Sequence, residues 1–172
     1  EKADSSNIED NILSPKEDQA IDLMELGLSY VNNGLFSEAA IQFSHALNYQ
    51  TKNISLEFLN SFFPIDSLFR KNMLNAFSFQ DDNDSTSTQY FFQAYFTELK
   101  ENAYKNIKKY IHYNPTDIRA RLFYSNLYFS EEKWINAIFQ YQQILWIDSL
   151  DVNAHLGNAI SLFNLEEYID AI

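Results

Sequence analysis

The sequence contains no cysteine, and that absence removes several classes of site at once. A chain without cysteine has no disulfide framework, no thiolate ligand for a metal and no cysteine nucleophile. It also leaves the compartment open. We slightly favour the cytoplasm, and a periplasmic location or membrane attachment through a segment outside this sequence are the alternatives.

Glycine and proline are scarce, at 3 residues each in 172, whereas phenylalanine and tyrosine number 15 and 11. Few helix breakers and many bulky apolar residues are typical of long helices joined by short connections. No apolar run approaches the roughly 20 residues of a membrane-spanning helix, so we expect no direct insertion into a membrane. The N-terminal residues are polar and acidic and contain no signal-peptide hydrophobic core.

Positive charge is also in short supply, because 12 Lys and Arg stand against 24 Asp and Glu, for a formal net charge of -12. An acidic surface repels phosphate backbones, so nucleic acid is not an expected partner. The charge favours a basic or largely apolar partner, although solubility alone also accounts for an acidic surface.

Motifs for catalysis, cofactors and metals are missing as well. The sequence has no P-loop, no dinucleotide-binding glycine motif and no nucleophile elbow, so we expect no cofactor and no enzymatic activity. His45, His112 and His155 lie far apart and lack metal-ligand spacing, which makes them helix-surface or packing residues. The acidic run at 81–85 is not a calcium loop, because the required Gly and Glu are absent from the sixth and twelfth places.

What the sequence does contain is a repeat period. Ala103, Ala137 and Ala171 stand at intervals of 34 residues. A period of about 34 residues is typical of helix–turn–helix repeats, so it predicts an all-α fold. Each alanine follows an acidic stretch where we expect a turn between two helices, at Glu98, Glu132 and Glu166.

The first helix–turn–helix unit has strong local signals. Ser14, Pro15 and Glu17 form the sequence pattern of a capping box at the start of a helix. Gly27 inside that helix costs roughly 1 kcal/mol relative to Ala, so we expect another helix to approach it closely. Gly34 is suited to a left-handed cap at the end of the helix.

The stretch LMELGLSYVNNGLFSEAAIQFSHAL, residues 23–47, resembles a tetratricopeptide (TPR) repeat. Gly27 and Tyr30 match the small and aromatic residues of the family's first helix. The second helix carries the family's small–aromatic–small series at Ala39, Phe43 and Ala46. The same frame continues at Tyr124, Ser125, Tyr128, Trp134, Ala137, Tyr141 and Ile144, then at Asn158, Ala159, Leu162, Tyr168 and Ala171. A weaker unit, closed by Asn114 and Pro115, has Tyr90, Phe91, Ala94, Ala103, Ile107 and Tyr110. The resemblance implies an α-α superhelix, a TPR-like solenoid of antiparallel helix pairs.

We predict an acidic lead-in at residues 1–13 and one helical repeat domain over residues 14–172. Its units would span 15–49, 50–83, 84–117, 118–151 and, in part, 152–172. The unit at 50–83 fits a degenerate repeat, with an inserted helical hairpin as the alternative, and a polar loop is expected over Gln80–Gln89. The pattern stops before the second helix of the last unit is complete, which favours a piece of a longer protein.

In the TPR family the first helix of each pair lines a concave groove, so the resemblance implies a partner site there. The predicted partner-binding residues are Met24, Leu28, Phe92, Tyr95, Arg119, Leu122, Asn126, Phe129, Leu156 and Ile160. This strip is apolar and aromatic with few amides, which suits an apolar helix or an extended segment. The alternative is that the strip is core, covered by the 54–83 hairpin or by chain beyond the C-terminus.

We therefore predict a non-catalytic protein–protein interaction module or scaffold, whose partner is an apolar segment of another protein, with a basic segment as one option. Structural self-association into a homo-oligomer, through the same strip or the open C-terminal end, is the alternative, as is a regulatory arm of a larger protein. The family's clamp for acidic peptide C-termini is not matched, because only Arg119 and Asn126 stand in suitable helices.

Overall fold

A computed structural model describes residues 15–49, 54–64, 66–78 and 87–170. Within these ranges every regular element is an α-helix, and none of them contains a strand, which confirms the predicted all-α class. The helices are α1 (Pro15–Asn32), α2 (Phe36–Asn48), α3 (Leu56–Phe62), α4 (Ser67–Ser78), α5 (Thr88–Phe96), α6 (Lys100–Tyr113), α7 (Ile118–Ser130), α8 (Trp134–Ile147) and α9 (Val152–Asp170). None of these helices combines the length and apolar character needed to cross a bilayer.

Part of the predicted organisation falls outside the described ranges. The acidic lead-in at 1–13, Ser14 of the capping box and Ala171 of the repeat period all lie there. Up to residue 86, the predicted polar loop also lies outside the described ranges. For its last two residues the prediction is wrong. Thr88 and Gln89 are buried in the first turn of α5, with 1% and 4% exposure, because that turn packs into the helical core.

Gly34 ends α1 as the sequence predicts. Its φ of 74° is in the left-handed region that favours glycine. The Gly34 amide donates to the Val31 carbonyl at 2.9 Å, and the Leu35 amide donates to the Tyr30 carbonyl at 2.9 Å. This pair of bonds is the Schellman arrangement, which satisfies carbonyls that the end of the helix would otherwise leave unpaired.

The close approach expected at Gly27 is also confirmed. A Cβ atom added to Gly27 would collide with the ring of Phe43, which is fully buried on α2. The missing side chain therefore lets α2 pack directly against the backbone of α1. Gly157 on α9 has the same relation to the ring of Tyr141 on α8.

Polar side chains start three of the later helices. Ser55 accepts a hydrogen bond from the Phe58 amide at 3.1 Å at the start of α3. Asp117 accepts from the Arg119 amide at 2.9 Å before α7, and Asp151 accepts from the Ala154 amide at 2.7 Å before α9. Each side chain satisfies an amide that has no partner inside its own helix.

Most helices pack on their neighbours along the chain. Contacts join α1 to α2, α4 to α5, and then α5 through α9 in sequence. The two helices of the 50–83 segment behave differently, because α4 packs on α2 and α5 whereas α3 packs on α7. The degenerate repeat stays a prediction, and the observed fact is that α3 lies over a helix that follows it by more than fifty residues.

The turn predicted at Glu166 is wrong, because α9 continues through that residue as one helix of 19 residues. At the end of α7, by contrast, the Glu131 carboxylate accepts a hydrogen bond from the Tyr104 hydroxyl of α6 at 3.0 Å. Leu165 stands 34 residues after Glu131. Its apolar side chain cannot accept such a bond, so this way of fixing a turn is lost.

Candidate functional site

Four of the predicted partner-binding residues belong to the N-terminal half of the strip, and three of these are core rather than surface. Met24 and Phe92 are fully buried, and Tyr95 is 6% exposed. The fourth, Leu28, is partly buried and packs against the same core. The prediction that Met24, Phe92 and Tyr95 line an exposed groove is therefore wrong, because other side chains of the same molecule cover them.

The covering side chains come from α4 and from the end of α3. Phe77 of α4 stacks on Phe92 with ring centroids 4.7 Å apart, and the second covering side chain is Phe63. Its ring centroid lies 5.0 Å from that of Phe43, 6.1 Å from Phe92 and 5.1 Å from Phe96, in edge-to-face arrangements. Aromatic pairs in this geometry are favourable beyond the area that they bury. The α3 segment thus occupies the position in which a partner was expected.

Tyr95 is fixed by a polar contact to the same segment. Its hydroxyl donates to the Asn60 side chain of α3 at 2.9 Å. Burial raises the pKa of Tyr95 to about 12, although the nearby Arg70 guanidinium lowers it. The hydroxyl therefore stays protonated at neutral pH and remains a hydrogen-bond donor to α3.

The C-terminal half of the strip is open along α9, and one cavity brings together five predicted residues from α7 and α9. One of them, Leu122, is only 6% exposed, so the prediction that it lines an exposed groove is wrong, because it packs in the hydrophobic core. The cavity has a volume of about 230 Å³, and Gly157 and Tyr141 also lie in its wall. We call this cavity the apolar part of the C-terminal groove; its predicted residues are Leu122, Asn126, Phe129, Leu156 and Ile160. Leu156 is 59% exposed and Ile160 is 39% exposed, so large aliphatic side chains face solvent.

A second cavity, of about 440 Å³, adjoins the first and shares Glu57, Leu122 and Asn153 with it. Its wall includes Glu57, Asp148 and Asp151, whose carboxylates make this region acidic. We call it the acidic end of the groove. The two cavities form one continuous groove between α3, α7 and α9, apolar over α9 and acidic next to the start of α3.

Arg119 lines the acidic end, but its guanidinium cannot reach a ligand there. The residue is 7% exposed, and all three guanidinium nitrogens donate within the protein. They donate to Asp117 at 2.7 and 3.0 Å, to the Leu47 carbonyl at 3.1 Å and to the Ile54 carbonyl at 3.3 Å. The prediction that Arg119 binds a partner is therefore wrong, because it already joins α2, the start of α3 and α7.

The contacts with Arg119 favour the ionised form of Asp117. Burial alone raises the pKa of the Asp117 carboxyl, but hydrogen bonds and charge attraction from Arg119 outweigh that effect and lower the pKa. The Tyr110 hydroxyl adds a hydrogen bond to the same carboxylate at 2.7 Å. The paired charges are therefore structural, and they leave the net charge of the acidic end to the other carboxylates.

Sequence reasoning missed the acidic end because its carboxylates come from two segments that are distant in sequence, α3 and the turn between α8 and α9. Glu57 accepts a hydrogen bond from the Asn153 side chain at 2.9 Å across a sequence separation of 96 residues. No periodic signal links two such residues. Asp148 and Asp151 bracket the turn between α8 and α9, so their spacing is a local signal that pointed to a turn and could also have pointed to one acidic edge.

Two other features of the surface bear on function. A set of exposed apolar residues lies outside the groove, on α8, the turn that follows it and the first residue of α9: Ile135, Phe139, Trp146, Leu150 and Val152. Across the described part of the chain, no three His, Asp or Glu side chains converge in a way that could hold a metal ion.

Comparison with protein-family profiles gives no match for this chain, and comparison with curated protein sequences gives no significant match.

Proposed function

We propose that the chain is a TPR-like superhelix and a non-catalytic interaction module that holds a segment of another protein in the C-terminal groove. The observation that carries the proposal is the convergence of Phe129, Leu156 and Ile160 in one concave cavity while Leu156 and Ile160 remain exposed. Exposed apolar side chains that line a concavity are typical of a partner site.

Three further observations support the TPR-like arrangement. The close contact of Gly27 with Phe43 has the small-against-aromatic character of the family's helix pairs. The turns after α1 and α7 both use a left-handed residue, at Gly34 and Glu132. Contacts along the chain from α5 to α9 follow the order expected of stacked pairs. A crystal structure in which successive pairs were not related by a constant rotation would contradict this part of the proposal.

The groove supplies few anchors, so we expect weak binding. Each fully buried Leu, Ile or Phe side chain contributes roughly 1.5–3 kcal/mol, and association itself costs several kcal/mol. Three anchors contribute at most about 9 kcal/mol before that cost, so the dissociation constant should be on the order of hundreds of micromolar or weaker.

A peptide selection tests the proposal directly. The immobilised chain is used to select from a phage library of random twelve-residue peptides, and selected peptides are synthesised and titrated. We expect the double variant Leu156→Lys/Ile160→Lys to weaken their binding at least ten-fold. The matched control is Ile135→Lys/Phe139→Lys, which places the same charges on exposed apolar positions outside the groove. Selected peptides that bind the groove variant as tightly as the unmodified chain would contradict the proposal, provided circular dichroism shows equal helicity.

Self-association is a second candidate, and one observation favours it. Trp146, Leu150 and Val152 are 88%, 81% and 75% exposed, which leaves an apolar surface beside the turn between α8 and α9. Sedimentation over a range of concentrations separates the two functions. A dimer that Trp146→Glu converts to a monomer would support self-association, whereas a monomer at high micromolar concentration would exclude it.

A further inference from the structure

We propose that the segment held in the C-terminal groove carries a Lys or Arg at one end of its apolar anchors, and that this cation lies at the acidic end among Glu57, Asp148 and Asp151. The inference rests on the proposed function and specifies the chemistry of the partner. It follows from the distribution of charge along the groove, from the commitment of the chain's own cation and from the position of α3.

The three carboxylates at the acidic end each use one oxygen inside the protein. Glu57 accepts from Asn153 through Oε1, Asp148 accepts from the Leu150 amide through Oδ1, and Asp151 caps α9 through Oδ1. Among the residues that the structure describes, none of the three forms an ion pair. Each side chain is therefore held in place while its negative charge remains uncompensated.

No cation of the described chain serves these carboxylates. Arg119 is the only basic residue in the wall of the acidic end as described, and its guanidinium is neutralised by Asp117. The three carboxylates line one cavity, so their negative charges act together on any group that enters it. A cation from a partner would be attracted to them, whereas an acidic partner would be repelled.

The order of features along the groove determines the order of residues in the partner. Glu57 and Leu122 belong to both cavities, so the acidic end begins where the apolar part stops. The start of α3, Ser55–Glu57, lies at the acidic end. The acidic end therefore lies to one side of the apolar part, past Glu57 and Leu122, and not within it. The cation is thus terminal to the apolar anchors rather than placed between them.

The test uses charge removal that preserves hydrogen bonding. In the triple variant Glu57→Gln/Asp148→Asn/Asp151→Asn, each amide oxygen can still accept the bond that the carboxylate accepts, and Asn is a good helix N-cap. The control Glu25→Gln/Glu38→Gln/Glu98→Gln removes the same number of charges from exposed positions that do not line the groove. Both variants change the net charge equally, so nonspecific attraction of basic peptides to an acidic protein cancels between them.

The probes are the selected twelve-residue peptides and copies in which Lys and Arg are replaced by Gln. We expect a basic residue at one end of the apolar anchors, at least ten-fold weaker binding to the groove triple variant at low salt, and less than two-fold change with the control. Replacing the peptide's basic residue should cause the same loss on the unmodified chain and little further loss on the triple variant. Equal melting temperatures of the two variants exclude unfolding as the cause.

Two outcomes overturn the inference, and they differ in what they leave standing. Peptides that depend on Leu156 and Ile160 but show no basic preference overturn the inference and leave the proposed function intact. Peptides whose binding ignores Leu156 and Ile160 overturn the proposed function as well.

Discussion

In the half of the apolar strip that α5 contributes, Tyr95 is 6% exposed, whereas Phe163 on α9 is 60% exposed. Phe129 on α7 stands between them, at intervals of 34 residues from each, and it is partly buried. The three aromatic side chains occupy the same place in the predicted repeat, so the repeat itself does not explain their different exposure. What differs is the covering side chains, because Phe63 and Phe77 pack on the rings of α5, whereas Leu156, Ile160 and Phe163 of α9 remain exposed.

The comparison teaches that a repeat period gives the direction of a side chain relative to its own unit, but not what covers it. In the N-terminal half the chain supplies its own occupant, a short helix with aromatic anchors. In the C-terminal half the same kind of surface meets solvent. We propose that a partner binds the open half in the way that the chain's own aromatic side chains pack on the closed half. Variants that compare the two halves can test this proposal.

The largest effect should come from removing a covering side chain. Phe63 is 5% exposed and contacts several aromatic rings, so Phe63→Ala should lower the free energy of unfolding by about 4 kcal/mol. Phe163→Ala, in the open half, should change it by less than about 0.5 kcal/mol. Urea unfolding followed by circular dichroism measures both. Similar losses for the two variants would mean that the halves are equally packed.

A smaller but still large loss of stability is expected at Arg119, whose hydrogen bonds join α7 to the covered half. Arg119→Met removes one partner of a buried ion pair and leaves Asp117 uncompensated, which should cost about 3 kcal/mol. Arg121→Met is the matched control. Arg121 is only partly buried and donates to the Pro115 carbonyl at 2.7 Å, so its loss should cost under about 1 kcal/mol.

The pH dependence of unfolding tells whether the Asp117 charge is the cause. Because the pKa of Asp117 in the folded chain is below its ordinary value of 3.8, its contribution is present above that pH. The contribution is lost as the pH falls through the lower folded value. In Arg119→Met the attraction that lowers this pKa is gone, so Asp117 should contribute less stability above pH 3.8 and the acid-induced loss that it causes should be smaller than in the unmodified chain. Unchanged acid unfolding in the variant would argue against this account of the ion pair.

Substituting Ala for each of two helical glycines makes the same chemical change in both halves of the chain. The cost of each substitution therefore compares how tightly the two halves are packed. Gly27→Ala forces a methyl group against Phe43, which is fully buried and in contact with the Phe63 ring, and should cost about 2 kcal/mol. Gly157→Ala meets the tip of Tyr141, which is 3% exposed but lies in the wall of the open groove, and we expect the ring to shift towards that groove. The better helix propensity of Ala offsets about 1 kcal/mol of that strain, so Gly157→Ala should be nearly neutral. Thermal unfolding of both variants decides, and an equally costly Gly157→Ala would show that Tyr141 is as confined as Phe43.

The features that the sequence predicts well are those with a local physical cause. Gly34 could be assigned to a left-handed turn and Gly27 to a close helix contact, because few other reasons place glycine there. Leu156 and Ile160 could be assigned to one face because their spacing is helical. Each of these inferences depends only on residues within about one helical hairpin.

The features that the sequence does not predict depend on contacts between distant segments. Met24 and Phe92 have the pattern of a groove but are fully buried, and the rings that pack on Phe92 include Phe63 and Phe77 from a separate segment of the chain. The pairing of Glu57 with Asn153 depends on α3 crossing to α7 and α9, for which no residue pattern exists. The turn at Glu166 was expected from an acidic pattern, but at the end of α7 that pattern works together with Glu131 and its partner on α6.

The smallest changes in stability are expected at two turns, the turn between α1 and α2 and the turn between α7 and α8. Glu132 adopts a φ of 58°, and its amide donates to the Phe129 carbonyl at 3.0 Å as Gly34 donates to Val31. A side chain in this region costs about 1 kcal/mol, part of which the greater freedom of glycine in the unfolded chain offsets. Glu132→Gly should therefore stabilise the chain by about 0.5 kcal/mol, whereas Gly34→Ala should destabilise it by about 1 kcal/mol.

Both positions suit this measurement because little besides the backbone is involved. A Cβ atom at Gly34 would meet nothing within 4 Å, and Glu132 is exposed with no ion pair to any described residue. Differences in melting temperature between each variant and the unmodified chain therefore report the left-handed turn itself. If Glu132→Gly were destabilising, the strain at Glu132 would have to be relieved by contacts of its side chain. The turn after α7 would then be held by contacts that the first turn lacks.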